Sequence, residues 1–354
     1  MWQITLDNYA KKITRGFDNF VDDFFNWVLD RKPTESLTEL FERAKNIEGR
    51  LGEVSRATSV SKWLVRFANC AESEKISYYY YYKIKNYHLF TDTGVPVWRF
   101  LGSTKSMISK CFHYFYSTLI DTVAFQDAYI NDYEGGAELK KQFRTYVGEK
   151  HPICPYCDHT RIDLDRFSSI DHFFPKAIHP LLSIHSNNLV LACSACNDRI
   201  KQAQVLIPAL HPYIHEPHDY FQFYFSSNYQ VIFARPKLPS HLDITKKYMI
   251  SYQIEALYQK RLDILVKELS ELRGNVRRAF RRYRNLSVKR WNCSSDEEVV
   301  KRMLEYHIKY RINKNYKLKG QKPMVKMIID FYTDIQNRFL ESESRFIVIN
   351  VVGY

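Results

Sequence analysis

Apolar residues recur at intervals of three and four early in the chain. Phe17, Phe20, Val21, Phe24, Phe25 and Val28 share one side of a helix, so the spacing predicts a single buried face. Pro33 to Ser36 interrupts the pattern, and Thr38-Glu39-Leu40-Phe41 resumes it. Tyr78 to Tyr82 is an unbroken run of tyrosines, followed by Lys83, Lys85, Tyr87 and His88. Consecutive aromatics occupy every face of a helix or both faces of a strand, which predicts burial on more than one side. Core or interdomain packing is the plain reading of that run, base stacking beside the lysines the sharper one, and contact with a protein partner a third. The polar turn formers of Asn131 to Gly136 mark a boundary, and Ala137 to Val147 starts a new helical pattern.

The middle of the chain reads differently. Arg166 to Phe173 predicts a strand stopped by Pro175; Asn188 to Ala192 predicts a second, and Ser194 to Gln202 a helix. Pro208, Pro212 and Pro217 rule out a continuous helix after Lys201. Tyr220 to Phe225 and Tyr229 to Phe233, separated by Ser-Ser-Asn, suggest an aromatic hairpin. Helical periodicity returns from Lys246, and the β-branched end, Phe346 to Val352, suggests a last short strand. The pattern is mainly α with a small α+β core. It divides into an N-terminal helical domain over 1–136, a core with a hairpin over 137–240, and a basic helical region over 241–354.

Composition changes the picture through charge. The 354 residues carry a net charge of +13, a field that draws polyanions, of which nucleic acid is the commonest. No run approaches the roughly 20 apolar residues that span a bilayer. The first twenty residues carry charges where a signal peptide needs an apolar centre, so the expectation is a soluble, cytoplasmic protein. Arg273 to Arg290 contains no acidic residue, and Arg273, Arg277, Arg281 and Arg284 fall at helical spacing. Such a row is either a solvated face or a phosphate-contacting one, and with no neutralising residue in the segment phosphate contact gains weight. Lys309 to Lys326 is a second basic and aromatic stretch.

Seven cysteines complete the candidate chemistry. Cys70, Cys111 and Cys293 read as small buried hydrophobes. Cys154/Cys157 and Cys193/Cys196 form two Cys-x-x-Cys pairs, each able to place two thiolates on one side of a zinc ion. Four sulfurs fill the tetrahedron and leave no position for water, so this zinc would be structural.

Between and after those pairs stand Asp171-His172-Phe173-Phe174-Pro175, Asn188-Leu189 with a short apolar strand, and Cys193-Ser-Ala-Cys196-Asn197 followed by Lys201. This stretch of about fifty residues, Cys154 to Lys201, resembles the HNH endonuclease family with its ββα-metal core and zinc knuckle. The resemblance implies that His172 is the general base, that Asn188 holds the loop that orients it, and that Asp171 and Asn197 ligate a catalytic ion. Many relatives have histidine where Asn197 stands. Two oxygen donors suit a hard ion, so Mg2+ is expected, with Mn2+ as a substitute. Lys201, four residues beyond Asn197, would contact phosphate or be solvated, and Lys176 likewise. Adjacent strand residues point to opposite faces, so the chain must twist or end at Asp171 and His172 for both to reach one phosphate.

The resemblance thus implies a metal-dependent endonuclease acting on DNA, or on RNA, with the arginine row as backbone contact. The same stretch and His-Pro-Tyr at His211 to Tyr213 resemble nuclease subunits of bacterial anti-phage systems of the Septu type, in which an ATPase partner accompanies the nuclease. One such site cuts one strand, so a double-strand cut would take a homodimer or a second event. The alternative reading is a zinc-stabilised nucleic-acid-binding or scaffolding protein with an inactive site. His211, His215 and His218 have metal-like spacing, but Pro212 and Pro217 keep them off one helical face. His179 and His185 lie in the loop between the strands and are expected to face solvent.

Overall fold

Helix α1, Asn8–Leu29, starts where the Asp7 carboxylate accepts a hydrogen bond from the Ala10 amide at 2.7 Å. In the computed structural model its Phe17, Phe20, Val21, Phe24, Phe25 and Val28 are all buried, as their spacing requires. The structure describes residues 2–85, 99–131, 138–202, 204 and 208–353. Tyr87, His88 and the boundary expected at 131–136, apart from Asn131, lie outside them. The chain is mostly helical with two small two-stranded sheets, and it forms two compact units. One comprises 4–154 and 161–214, and the other 1–3, 155–160 and 215–354.

In the first unit α1 meets an aromatic core. Phe20 stands edge-on to Phe115 at 5.0 Å, and Phe24 to Phe67 at 5.2 Å, the arrangement ring quadrupoles favour. Truncating one of these rings to alanine should cost about 3–5 kcal/mol. The helix Leu37–Lys45 follows the Pro33 to Ser36 break and opens with a capping box between Ser36 and Glu39. The tyrosine run continues a helix, Ser73–Tyr79, into a π-helical segment, Tyr80–Lys85, and is not buried on several sides. Tyr80 alone is sealed, stacked on Phe25 at 4.5 Å, while Tyr78 and Tyr82, four residues apart, stack on each other in solvent. Because α1 covers one face of the segment, the opposite face stays wet.

Two further helices of this unit, Gly102–Ser117 and Leu139–Lys150, lead to the hairpin of β1, Ser168–His172, and β2, Leu189–Cys193. The strands are antiparallel, with Ser168 opposite Cys193 and His172 opposite Leu189. A π-helical segment, Ala195–Lys201, follows directly; its last turn is marked by a hydrogen bond from the Gln202 amide to the Asn197 carbonyl at 2.8 Å.

The second unit holds the aromatic hairpin of β3, Phe221–Phe225, and β4, Ile232–Pro236. The second strand begins later than expected because Tyr229 adopts a left-handed conformation, φ 58°, and belongs to the turn. Leu262–Trp291 is a long helix whose Leu265, Leu269, Leu272, Val276 and Phe280 form one buried stripe. Helices Asp296–Tyr316, Val325–Asp334 and Leu340–Val348 complete the unit. The expected terminal strand over 346–352 is helical instead. Glu343, Ser344 and Ile347 are buried at helical spacing, so packing overrides β-propensity there. Among the described residues, no helix is long and apolar enough to cross a membrane.

Candidate functional site

His172 ends β1 and is almost wholly buried. Its Nε2 lies 3.0 Å from the Ser183 carbonyl oxygen. A carbonyl only accepts, so the ring proton is on Nε2 and Nδ1 keeps its lone pair. Burial, then the Lys176 ammonium and more weakly Lys201, push the imidazole down to about 3 against the pull of that hydrogen bond. The ring is therefore neutral at physiological pH, as a proton acceptor must be.

Asn188 holds the loop that carries Ser183. Its Oδ1 accepts from the Phe174 amide at 2.7 Å, and its Nδ2 donates to the Phe174 carbonyl at 3.1 Å and to the Leu182 carbonyl at 2.9 Å. All three bonds are buried, and they bring the two ends of the 174–188 loop together. Ser183 is fixed in turn by its hydroxyl, which donates to the Phe112 carbonyl at 3.2 Å.

Asp171 leaves the opposite face of the strand from His172. The strand stays regular through both residues, with Asp171 opposite Val190, so no twist brings the two side chains together. The Lys201 ammonium donates to Asp171 Oδ1 at 2.7 Å and to the His172 carbonyl at 2.8 Å, and it is completely buried. Asn197, one turn earlier, donates from Nδ2 to Ser169 Oγ at 2.9 Å. The pairs Asn197–Ser169 and Lys201–Asp171 show that the helical segment lies along one face of β1. Lys201 is thus not solvated; it is paired with Asp171. A divalent ion at Asp171 would have to compete with that ammonium, so as placed the expected oxygen pair is a poor fit for a magnesium ion.

Three residues stand near His172, of which Tyr116 and Lys140 have no local signature in the sequence. The Tyr116 ring, from the Gly102–Ser117 helix, packs against the imidazole at 4.5 Å between centroids. Lys176 and Lys140 lie over the same tyrosine ring at 4.6 and 5.2 Å, and Lys140 also pairs with Asp121 at 2.7 Å. Lys176 is half-buried, and burial followed by Lys140 lowers its pKa. A helix contact from 56 residues upstream in sequence carries no motif that would announce it.

The four paired cysteines meet. The sulfurs of Cys154, Cys157, Cys193 and Cys196 all lie within 4.8 Å of one another and are buried, so they are placed to bind a metal ion. A zinc–sulfur distance of about 2.3 Å puts tetrahedral sulfurs about 3.8 Å apart, which this spacing accommodates. The Cys193 amide points at Cys154 Sγ and the Cys196 amide at Cys193 Sγ, each at 3.4 Å; such donors stabilise thiolate charge. Of the other cysteines, Cys111 and Cys293 are buried, whereas Cys70 is partly exposed.

The arginine row is only partly available. Arg273 binds the buried Glu343 through two hydrogen bonds of 2.7 and 2.8 Å, and Arg284 pairs with Asp296 at 2.5 Å. Arg277 lies over the Phe346 ring, and Arg281 is exposed. Neutralising residues come from elsewhere in the chain, which the acid-free segment conceals. His179 is buried against Phe174 rather than solvated, and the half-buried His185 accepts from the Asn187 amide through Nδ1. His211 bonds the Asn187 carbonyl at 2.8 Å and His218 the Tyr316 hydroxyl at 2.6 Å. Among the described residues, the four cysteines are the one group of three or more metal-ligating side chains.

Comparison with family models, curated proteins and solved structures found no significant match to this chain.

Proposed function

We propose that the protein is an endonuclease of the HNH type that hydrolyses phosphodiester bonds of DNA, with His172 as general base. The observation that carries this reading is the hydrogen bond from His172 Nε2 to the Ser183 carbonyl, which leaves Nδ1 as the proton-accepting atom. Nδ1 would take a proton from the attacking water, and Asn188 would keep the ring in place through the loop it closes. Lys176 and Lys140 would meet phosphate charge beside the ring. A divalent ion, Mg2+ or Mn2+, held by Asp171 and Asn197 would neutralise the phosphate further if it displaced Lys201. The cysteine cluster would hold a structural zinc. A role in anti-phage defence beside an ATPase partner belongs to this same proposal and rests on the resemblance alone.

One observation favours the second reading, a zinc-stabilised nucleic-acid-binding or scaffolding protein: Asp171 is already neutralised by Lys201. Incubating supercoiled plasmid with the protein and Mg2+, beside His172→Ala, separates the two. Nicking by the parent and none by the variant supports the nuclease. Equal nicking by both removes His172 from the mechanism, and no nicking by either favours the binding module.

A further inference from the structure

The helices Leu262–Trp291 and Asp296–Tyr316 pack against each other, and two cavities of about 870 and 720 Å³ open along their seam. Tyr306 and His307 line both, so the cavities meet there. Tyr306 is 67 % exposed and Tyr310 57 %, and Tyr283 on the facing helix is also exposed. Tyr306 and Tyr310 are four residues apart on one helical face, about 6 Å along the axis. Rings of this size left in water on adjacent turns are an unsatisfied hydrophobic surface.

The lining of the two cavities is positive on balance, with five lysines and arginines to the three carboxylates of Asp263, Glu268 and Glu271. Ion pairs occupy Arg273, Arg284 and Arg311. Among the described residues, Arg278, Arg281, Arg282, Lys289, Arg290 and Lys314 take part in none, and Arg290 and Lys314 line the cavities themselves. The acidic groups at the far end, Glu268 and Glu271, are answered by Arg311 at 2.8 and 3.6 Å.

We propose that this seam binds single-stranded nucleic acid, with bases stacked on Tyr283, Tyr306 and Tyr310 and phosphates met by the unpaired guanidinium and ammonium groups. Exposed planar rings interleaved with unpaired cations are what a strand with free base faces recognises. A duplex keeps its base faces inside its own stack, so it would use the cations and gain nothing from the rings. An acidic protein surface would likewise use only the charges. The inference shares with the proposed function a polynucleotide ligand but does not depend on His172 or on cleavage.

The test uses the full-length His172→Ala protein and fluorescein-labelled oligonucleotides of about 20 nucleotides, single-stranded or as the matching duplex, read by anisotropy. Single strands are expected to bind at least about tenfold more tightly. Tyr306→Ala with Tyr310→Ala should weaken single-strand binding by about ten- to a hundredfold, leave duplex binding unchanged and leave the melting temperature unchanged. Tyr306→Phe with Tyr310→Phe should retain binding. Arg290→Glu with Lys314→Glu, two cations that line the cavities, should weaken both ligands and flatten the salt dependence. The inference is overturned if the alanine pair binds single strands like its parent, if the parent has no preference for single strands, or if the seam takes polyglutamate in place of nucleic acid. Plasmid nicking by the unsubstituted protein is a separate readout: its loss with groove binding intact removes the nuclease reading alone.

Discussion

The Nε2 atom of His172 and the carbonyl of Ser183 are 3.0 Å apart, and that one contact assigns the imidazole tautomer. Replacing His172 by alanine should reduce plasmid nicking by about two to four orders of magnitude. Far-ultraviolet circular dichroism should be unchanged. Retained nicking would remove the residue from the chemistry.

Asn188 makes three buried hydrogen bonds across the loop. In Asn188→Ala the Phe174 amide and carbonyl lose these bonds and the Leu182 carbonyl keeps the His185 amide, with a cost of about 2–3 kcal/mol. Asn188→Asp keeps an acceptor for the Phe174 amide but presents oxygen to the two carbonyls. Both should unfold at lower urea than the parent, and a midpoint within error of it would show that the loop closes without this side chain.

Lys201→Met removes the cation that pairs with the buried Asp171 carboxylate. The expected loss is about 3–5 kcal/mol. If Asp171 can take a divalent ion, Mn2+ should restore the melting temperature of Lys201→Met but not of Lys201→Met with Asp171→Asn. No recovery in the single variant would exclude Asp171 as an ion ligand.

His172 and His218 are both held neutral, with pKa values of about 3, chiefly by burial. Unfolded, each titrates near ~6.5. Between those values the unfolded chain binds more protons than the folded one, so stability is full above about pH 6.5 and falls as the pH is lowered toward 3. His172 alone should lower stability by about 2 kcal/mol at pH 5, seen as a shift in urea midpoint between pH 7.5 and pH 5. The His172→Ala protein should show a smaller shift; an equal one would place the acid sensitivity elsewhere.

Thiolate ligation is itself proton- and chelator-sensitive. The protein as purified should carry about one zinc per chain, and removing it with a strong chelator should lower the melting temperature sharply. Cys193→Ser should do the same without chelator. A metal-free protein with unchanged melting would reduce the cluster to four buried thiols.

Much of this arrangement was legible because it is local. The two strands lie within two residues of their expected ends, since Pro175 stops the first and an unbroken apolar run makes the second. Cysteine pairs announce a cluster by spacing, and the structure gathers all four. What escaped notice depends on distant packing. Tyr116 reaches His172 and Lys140 reaches Tyr116 from other helices, Glu343 reaches Arg273 across 70 residues, and nothing beside Lys201 says that its ammonium is buried. The terminal strand failed for a related reason: β-branched residues at Phe346 to Val352 sit in a helix whose buried face is chosen by its neighbours.

Lys201 holds two different kinds of atom in β1. Its ammonium bonds the Asp171 carboxylate and the His172 carbonyl, the backbone group of the residue that carries the imidazole. This lysine ties a carboxylate of the strand to the strand's own backbone. Any ligand that drew the ammonium off Asp171 would also take a hydrogen bond from the His172 carbonyl, so occupancy at Asp171 would be felt in the peptide that carries the imidazole.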